Sequence, residues 1–258
     1  MDSILTGGAV PVDALGFRKK IGIVVPSTNT VVGPECEDLR PRGVTNHVAR
    51  LTISNQPIQA SDQGFAEHMQ RMRDGIGPAI DQVKTCRPDH IIMGVAIEAF
   101  TGGVAGGNAL QKDLEERAGV GVSMGSTAGT TALRKFGAKR IAVLTPHQPK
   151  GDEIVHDFLA EAGFEIVRLV GLKCASPFAI AEVTATTLMQ VLRDIDDNDI
   201  DAILQVGTNL ANAAVAAEAE RWLGKPVLAM NVVTYWDALR RCGVEDRVFG
   251  YGRILEEF

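Results

Sequence analysis

The sequence predicts an α/β fold with two pseudo-symmetric, Rossmann-like halves, each built on a parallel sheet, and a ligand cleft between them. Short apolar runs rich in β-branched residues alternate with longer segments of helical periodicity, which is typical of parallel sheets with right-handed crossovers. Blocks from the first half of the chain also recur, in the same order, in the second half. A duplicated βα unit explains both observations.

The first half of the chain reads as strands and helices in alternation. The β-branched run at 19–26 ends in proline and is followed by a polar loop at 27–30. The predicted elements are, in order, strands at 19–26 and 44–53, a helix from about Ser61 to Cys86, a strand at 90–94, a glycine-rich turn at 102–107, a helix near 108–118, a strand at 121–124 and a helix that runs to Gly137.

The second half repeats this pattern. Residues 139–146 repeat 19–26, residues 201–207 echo 89–94, and residues 230–243 repeat 124–137. Because three matched blocks keep the same order, we predict equivalent strands in two half-domains, with their ends facing each other across one cleft. The predicted divisions are 18–124 plus 233–258 for the first half, 125–232 for the second half, and 1–17 for a loosely ordered leader.

Composition and charge exclude several classes of protein. The net charge is −6, and Lys and Arg are scattered rather than clustered, so we expect neither a nucleic-acid partner nor an anionic membrane. The four cysteines lie far apart without the spacing of a disulfide framework or a zinc site, so we expect no metal. No long apolar run and no basic amino-terminal region are present, which predicts a cytoplasmic protein.

Three blocks carry a resemblance to a known family. Residues 23–30 (IVVPSTNT), 144–147 (LTPH) and 224–240 resemble the Asp/Glu racemase superfamily, and in particular its maleate cis–trans isomerase and arylmalonate decarboxylase branch. The resemblance implies that the two halves hold a small carboxylate between them. It also implies a cysteine from each half, one after each middle strand, and no metal or organic cofactor.

This sequence departs from the pattern at the two cysteine positions. They fall at about Gly94 and Gly207, and none of the four cysteines lies at either strand end. The resemblance therefore implies the fold and a small-acid ligand, whereas a cysteine mechanism does not carry over to this chain.

Other polar groups at the strand ends are candidates for binding an acid. Hydroxyl and amide side chains, together with the unpaired N–H groups of a helix amino terminus, can form a cradle for a carboxylate or an oxyanion. The alternative is that each side chain only caps a helix or satisfies a turn. The predicted binding set is Ser27, Thr28, Asn29, Gly94, Val95, Ser126, Thr127, Gly207, Thr208 and Asn209.

Two titratable residues are the candidate catalytic groups. Glu98 follows Gly94 by four residues, at the mouth of the expected cleft, where an enclosed carboxylate can act as a general base. His147 follows the first strand of the second half, where the relatives place a hydrogen-bonding tyrosine, and an imidazole can also carry a proton. His47, His68 and His156 show no pattern that indicates a partner.

The leading hypothesis is a cofactor-independent isomerase or decarboxylase that acts on a small carboxylic acid without a cysteine nucleophile. The first alternative is a hydrolase of a small amide, imide or lactone, with Glu98 activating water. The second is a non-catalytic binder of a small acid. We also expect a closed homo-oligomer, as is common among small α/β enzymes.

Overall fold

The computed structural model describes residues 12–57 and 62–258, and these residues contain two four-stranded parallel sheets. The first sheet consists of β1 (Lys19–Pro26), β2 (Val44–Leu51), β3 (His90–Met93) and β4 (Gly121–Met124). The second consists of β5 (Arg140–Thr145), β6 (Glu165–Gly171), β7 (Ala202–Gln205) and β8 (Val227–Ala229). The predicted leader falls mostly on residues 1–11, which lie outside the described part.

Helices separate the strands along the whole described chain. They are α1 (Val32–Asp38), α2 (Asp62–Lys84), α3 (Gly103–Ala118), α4 (Gly125–Lys135), α5 (Pro149–Glu161), α6 (Pro177–Ala181), α7 (Ala185–Ile195), α8 (Ala213–Leu223), α9 (Met230–Arg241) and α10 (Arg253–Glu257), with a 3₁₀ turn at Ile97–Phe100. No helix in the described ranges is long and apolar enough to cross a membrane.

The internal repeat is reproduced in the sheet topology. The strand order is β2-β1-β3-β4 in the first sheet and β6-β5-β7-β8 in the second, so β1 matches β5 and β3 matches β7. The middle strands β3 and β7 are buried along their whole length, which is why each reads as a continuous apolar run in the sequence. Two parallel sheets of the same strand order confirm the predicted α/β architecture.

The last strand of each sheet leads directly into a helix that packs against its counterpart. β4 leads into α4 and β8 into α9, and the two helices contact each other. The α9 helix also contacts β3 and β4, although it follows the second sheet in the chain. The contacts of α9 with the first sheet fit the predicted boundary at 232–233, and the division of the chain into halves stays a prediction.

The prediction of a glycine-rich turn at 102–107 is wrong for residues 103–107, because α3 already begins at Gly103. The helix can start early because its glycines let it lie against the 3₁₀ turn. A Cβ on Gly106 would lie 2.6 Å from the carbonyl oxygen of Thr101, and one on Gly107 would lie 2.9 Å from that of Ala99. These glycines therefore serve close backbone packing inside a helix rather than a turn.

The α2 helix covers one end of the cleft between the sheets. Its predicted first residue, Ser61, lies outside the described residues, and the helix is described from Asp62 to Lys84. The apolar positions Met69, Met72 and Ile80 are buried, as the helical spacing predicts.

Candidate active site

A cavity of about 90 Å³ lies between the two halves, at the carboxyl ends of β1, β3, β5 and β7. This is the location at which open α/β sheets bind ligands. A water molecule needs roughly 10–15 Å³ of such volume, so the cavity has room for a molecule of a few heavy atoms rather than for a nucleotide. Its wall consists of Pro26, Thr28, Asn29, Ile53, His68, Met72, Val95, Ala96, Ile97, Glu98, Pro146, His147, Pro177, Ile180, Gly207, Thr208 and Asn209.

Glu98 enters this wall from the 3₁₀ turn that follows β3. Two contacts hold the turn in place. The Thr101 hydroxyl donates to the carbonyl oxygen of Ile97 at 3.2 Å, and the ring of Phe100 packs edge-on against Phe158, with centroids 5.0 Å apart. A rigid turn on packed aromatic side chains fixes the direction of the glutamate.

The carboxyl group of Glu98 is enclosed and unpartnered. The residue is only 4% exposed, and neither of its oxygens has a hydrogen-bond partner among the described residues. Burial raises the pKa of Glu98 from 4.5 to about 7, against smaller opposing effects of its own main-chain N–H and the charge of Arg73. A carboxyl with this pKa can give or take a proton near neutral pH.

His147 contributes the second titratable group, from the loop after β5. Its main-chain N–H donates to the Thr145 hydroxyl at 3.0 Å, and that hydroxyl donates to Asp152. The Nε2 atom is buried and has no hydrogen-bond partner in the described part of the chain. Burial lowers the pKa of His147 to about 4, with a smaller contribution from His68, so the ring is neutral at pH 7.

His68 also lines the cavity, and the sequence analysis missed it. The helical spacing of the sequence indicates that His68 faces the same side as apolar residues. His68 lies three residues after Phe65 and four before Met72, on the apolar face of α2. A histidine on the apolar face of an amphipathic helix was a reason to expect it in the cleft.

Three side chains of the predicted cradle form hydrogen bonds with groups of the protein, and bonds of each of them join the two halves. Asn29 Nδ2 donates to Thr208 Oγ1 at 3.3 Å, and Thr208 Oγ1 donates to the carbonyl oxygen of Gly94 at 3.0 Å. Asn209 accepts from the N–H of Thr30 and donates to the carbonyl oxygen of Pro177, both at 3.0 Å. These groups join the halves at the floor of the cavity and leave few side-chain donors for a ligand.

Thr28 also lines the cavity, as predicted, and main-chain N–H groups supply further donors. Val95, Ala96, Gly207 and Thr208 all line the cavity and lie in the segments just after β3 and β7. Within the described residues, no hydrogen bond is formed by the N–H groups of these four. Since buried N–H groups are nearly always satisfied, a ligand oxygen at this wall is their natural partner.

The other predicted binding residues lie outside the cavity wall. The Ser27 hydroxyl donates to the carbonyl oxygen of Ile53 and accepts from its N–H, both at 3.0 Å. Thr127 donates to the carbonyl oxygen of Met124 at 3.2 Å. Ser126 is buried in the first turn of α4, and its Oγ has no partner among the described groups. Neither Ser126 nor Thr127 makes a capping hydrogen bond at this helix.

Gly94 and Gly207 are packed so tightly that a side chain at either position needs rearrangement. A Cβ on Gly94 would lie 2.6 Å from Cγ1 of Val25. A Cβ on Gly207 would lie 2.6 Å from Cδ and 2.7 Å from Cγ of Pro146. The ring of Pro146 thus fills the space beside the end of β7.

We expect the substitution Gly207→Ala to lower the free energy of unfolding by about 1–3 kcal/mol, because the new methyl group collides with Pro146. Denaturant unfolding measures the change. The matched control is Gly33→Ala, since a Cβ on Gly33 in α1 meets no atom within 4 Å. Equal stability of the two variants would contradict the packing described here.

The cavity has no thiol, and no Lys or Arg side chain, among the described residues that line it. Cys36 and Cys174 are buried elsewhere, and Cys86 and Cys242 are half-buried. No cluster of potential metal ligands is found among the described residues.

The fold and the cavity define an α/β protein that binds a small ligand between two halves of the same topology. The sequence profile of arylmalonate decarboxylase matches residues 21–255. The chain belongs to that family.

Individual relatives agree with this assignment. Arylmalonate decarboxylase from Bordetella bronchiseptica is 31% identical over 242 residues, which cover 92% of this chain and 96% of that protein. Maleate isomerase from Nocardia farcinica is 25% identical over 250 residues, with 94% and 97% covered. A cysteine-to-serine mutant of the Nocardia farcinica maleate cis–trans isomerase, solved with a covalently bound succinylcysteine intermediate, superposes with a TM-score of 0.84 at 22% identity, covering 93% of this chain and 99% of the other.

Proposed function

We propose that this enzyme decarboxylates a small malonate-type acid, with Glu98 as the proton donor. The observation that carries the proposal is the enclosed carboxyl group of Glu98, which has no hydrogen-bond partner among the described residues and a pKa of about 7. Membership in a family of named decarboxylases and isomerases supports the reaction class and a small carboxylic acid as substrate.

Decarboxylation suits this cavity better than isomerisation through a covalent adduct. The solved Nocardia isomerase mutant carries a succinylcysteine, whereas none of the four cysteines here lines the cavity. We infer that the two family cysteines are replaced by Gly94 and Gly207. A decarboxylase needs no nucleophile, because stabilisation of the developing negative charge itself lowers the barrier.

The proposed reaction uses groups on opposite parts of the cavity wall. One carboxylate of the substrate binds the main-chain N–H groups after β3 and β7, and the other lies against apolar side chains such as Ile53, Met72 and Ile180. The bond between the α-carbon and the second carboxylate breaks, carbon dioxide leaves, and the electron pair stays on the α-carbon as an enolate. Glu98 then transfers its proton to that carbon, which leaves a monocarboxylate product and an ionised Glu98.

Substrate binding favours the protonated form of Glu98. An anion placed beside a carboxyl group disfavours ionisation of that group. Since no Lys or Arg side chain from the described residues lines the cavity, the negative charge of the substrate raises the pKa of Glu98 further. Glu98 is therefore a proton donor in the complex at neutral pH, rather than the base that its sequence position predicts.

The test is carbon dioxide release from a panel of malonates with hydrogen, methyl, ethyl, isopropyl and phenyl substituents. We expect turnover of the small alkyl members, because the cavity of about 90 Å³ is small. In heavy water the product should carry one solvent deuterium at the α-carbon.

Two further measurements, oxygen-18 labelling and the melting temperature, separate the rival functions. In water labelled with oxygen-18, a hydrolase acting on amides or lactones incorporates label into its product, whereas a decarboxylase does not incorporate it into the retained carboxylate. A binder raises its melting temperature with the acid but releases no carbon dioxide. Absence of carbon dioxide from every malonate in the panel would overturn the proposed function.

A further inference from the structure

Decarboxylation consumes one proton per turnover, so Glu98 must recover the proton that it gives to the α-carbon. Glu98 is only 4% exposed, and the residue lines the cavity that substrate or product occupies. A carboxylate in this position needs a second group that connects it with the solvent.

A side chamber next to the main cavity shares part of its wall with it. It has a volume of about 30 Å³, enough for roughly two waters. Three residues line both spaces, namely His68, Ile97 and His147. The remaining residues of its wall are Phe65, Gln148 and Gly151. The chamber thus adjoins the turn that carries Glu98 and includes both histidines of the cleft.

The two histidines differ in their suitability as the proton source. Burial lowers the pKa of His147 to about 4, so its protonated form is rare at neutral pH. His68 is half-buried on α2 and lines both the main cavity and the side chamber. Its pKa is lowered by partial burial and by the positive charge of Arg71 on the same helix.

We propose that His68 and the side chamber return a proton from the solvent to Glu98 after each turnover. The imidazolium of His68 gives its proton through the chamber to the carboxylate of Glu98, and neutral His68 takes a proton from water. The balance per cycle is one proton consumed from the solvent, one carbon–carbon bond broken and one carbon–hydrogen bond formed. This role rests on the proposed decarboxylation.

The experiment compares the His68→Gln variant with the wild type and with a control, His156→Gln. Glutamine is similar in size to histidine and polar but carries no titrating proton, and His156 is an exposed histidine on α5 that lines neither space. For His68→Gln we expect kcat on the best alkylmalonate to fall at least ~10-fold with KM nearly unchanged. Added imidazole should restore the rate of this variant and leave the wild type and the control unaffected.

Rescue by imidazole separates proton transfer from a structural role, because the imidazolium form can donate the missing proton, whereas a packing defect does not respond to a soluble proton donor. If His68→Gln does not fold, His68→Asn is measured in the same way. If the wild type turns over substrate and the His68 variant is equally active, the role of His68 is overturned but the proposed function is not. Absence of turnover in the wild type would instead overturn the proposed function, and the role of His68 with it.

Discussion

Replacing Glu98 with glutamine is expected to lower kcat for alkylmalonate decarboxylation by about 10³-fold, within the range typical of a lost general acid. The amide has the same shape and fits the same space, but it has no proton to give to the α-carbon. KM should not rise, because glutamine is uncharged, as is the protonated Glu98 in the substrate complex. Steady-state carbon dioxide release measures both parameters.

The matched control for this variant is Glu116→Gln on α3, where the glutamate is exposed and pairs with Lys112 at 3.7 Å. It should retain wild-type rates. In the wild type, kcat/KM should fall as the pH rises above about 7, because Glu98 of the free enzyme loses its proton there. A Glu98→Gln variant with wild-type kcat would remove Glu98 from the mechanism.

The second large effect concerns stability. Because Glu98 is buried and its pKa is raised, we expect it to lower the free energy of unfolding at high pH. Between pH 4.5 and about 7 the glutamate ionises in the unfolded chain but stays protonated in the native state, so the free energy of unfolding decreases. The loss is complete above about pH 7. A rise of the pKa from 4.5 to about 7 corresponds to about 3 kcal/mol.

Denaturant unfolding of the wild type and of Glu98→Gln at pH 4 and pH 8 measures this cost. Glutamine does not titrate. The difference in the free energy of unfolding between the variant and the wild type should therefore shift by about 3 kcal/mol in favour of the variant from pH 4 to pH 8. Other buried acids with a raised pKa, such as Glu35 and Glu220, are common to both proteins and cancel in the difference. A difference that does not depend on pH would show that Glu98 ionises normally in the folded protein.

The sequence predicted the strands and their equivalence because these depend on local pattern. The apolar runs at 90–93 and 202–205 are buried middle strands, and the repeated blocks occupy the same positions in two sheets of equal topology. The start of α3 was not predictable, because glycine normally breaks a helix. Only the close approach of Thr101 and Ala99 explains the glycines at 106 and 107.

The candidate site was predicted less completely, because a sequence does not show which polar groups bind one another. Asn29, Thr208 and Asn209 lie at the expected strand ends, yet they bond mainly to groups of the protein. The place of His68 in the cleft was not predicted, because it depends on how α2 packs against the rest of the protein. Glu98 lies at the cavity as predicted, whereas its lack of a hydrogen-bond partner among the described residues is a property of the packed structure.

The most direct test of the central claim is a titration of the Glu98 carboxyl carbon by ¹³C NMR, in protein labelled at glutamate and assigned with Glu98→Gln. The midpoint should lie at about 7 in the free protein. It should move upward when propionate, the product expected from methylmalonate, saturates the cavity. A midpoint near the ordinary 4.5, or one that propionate leaves unchanged, would contradict Glu98 as the proton donor for a small acid in this cleft.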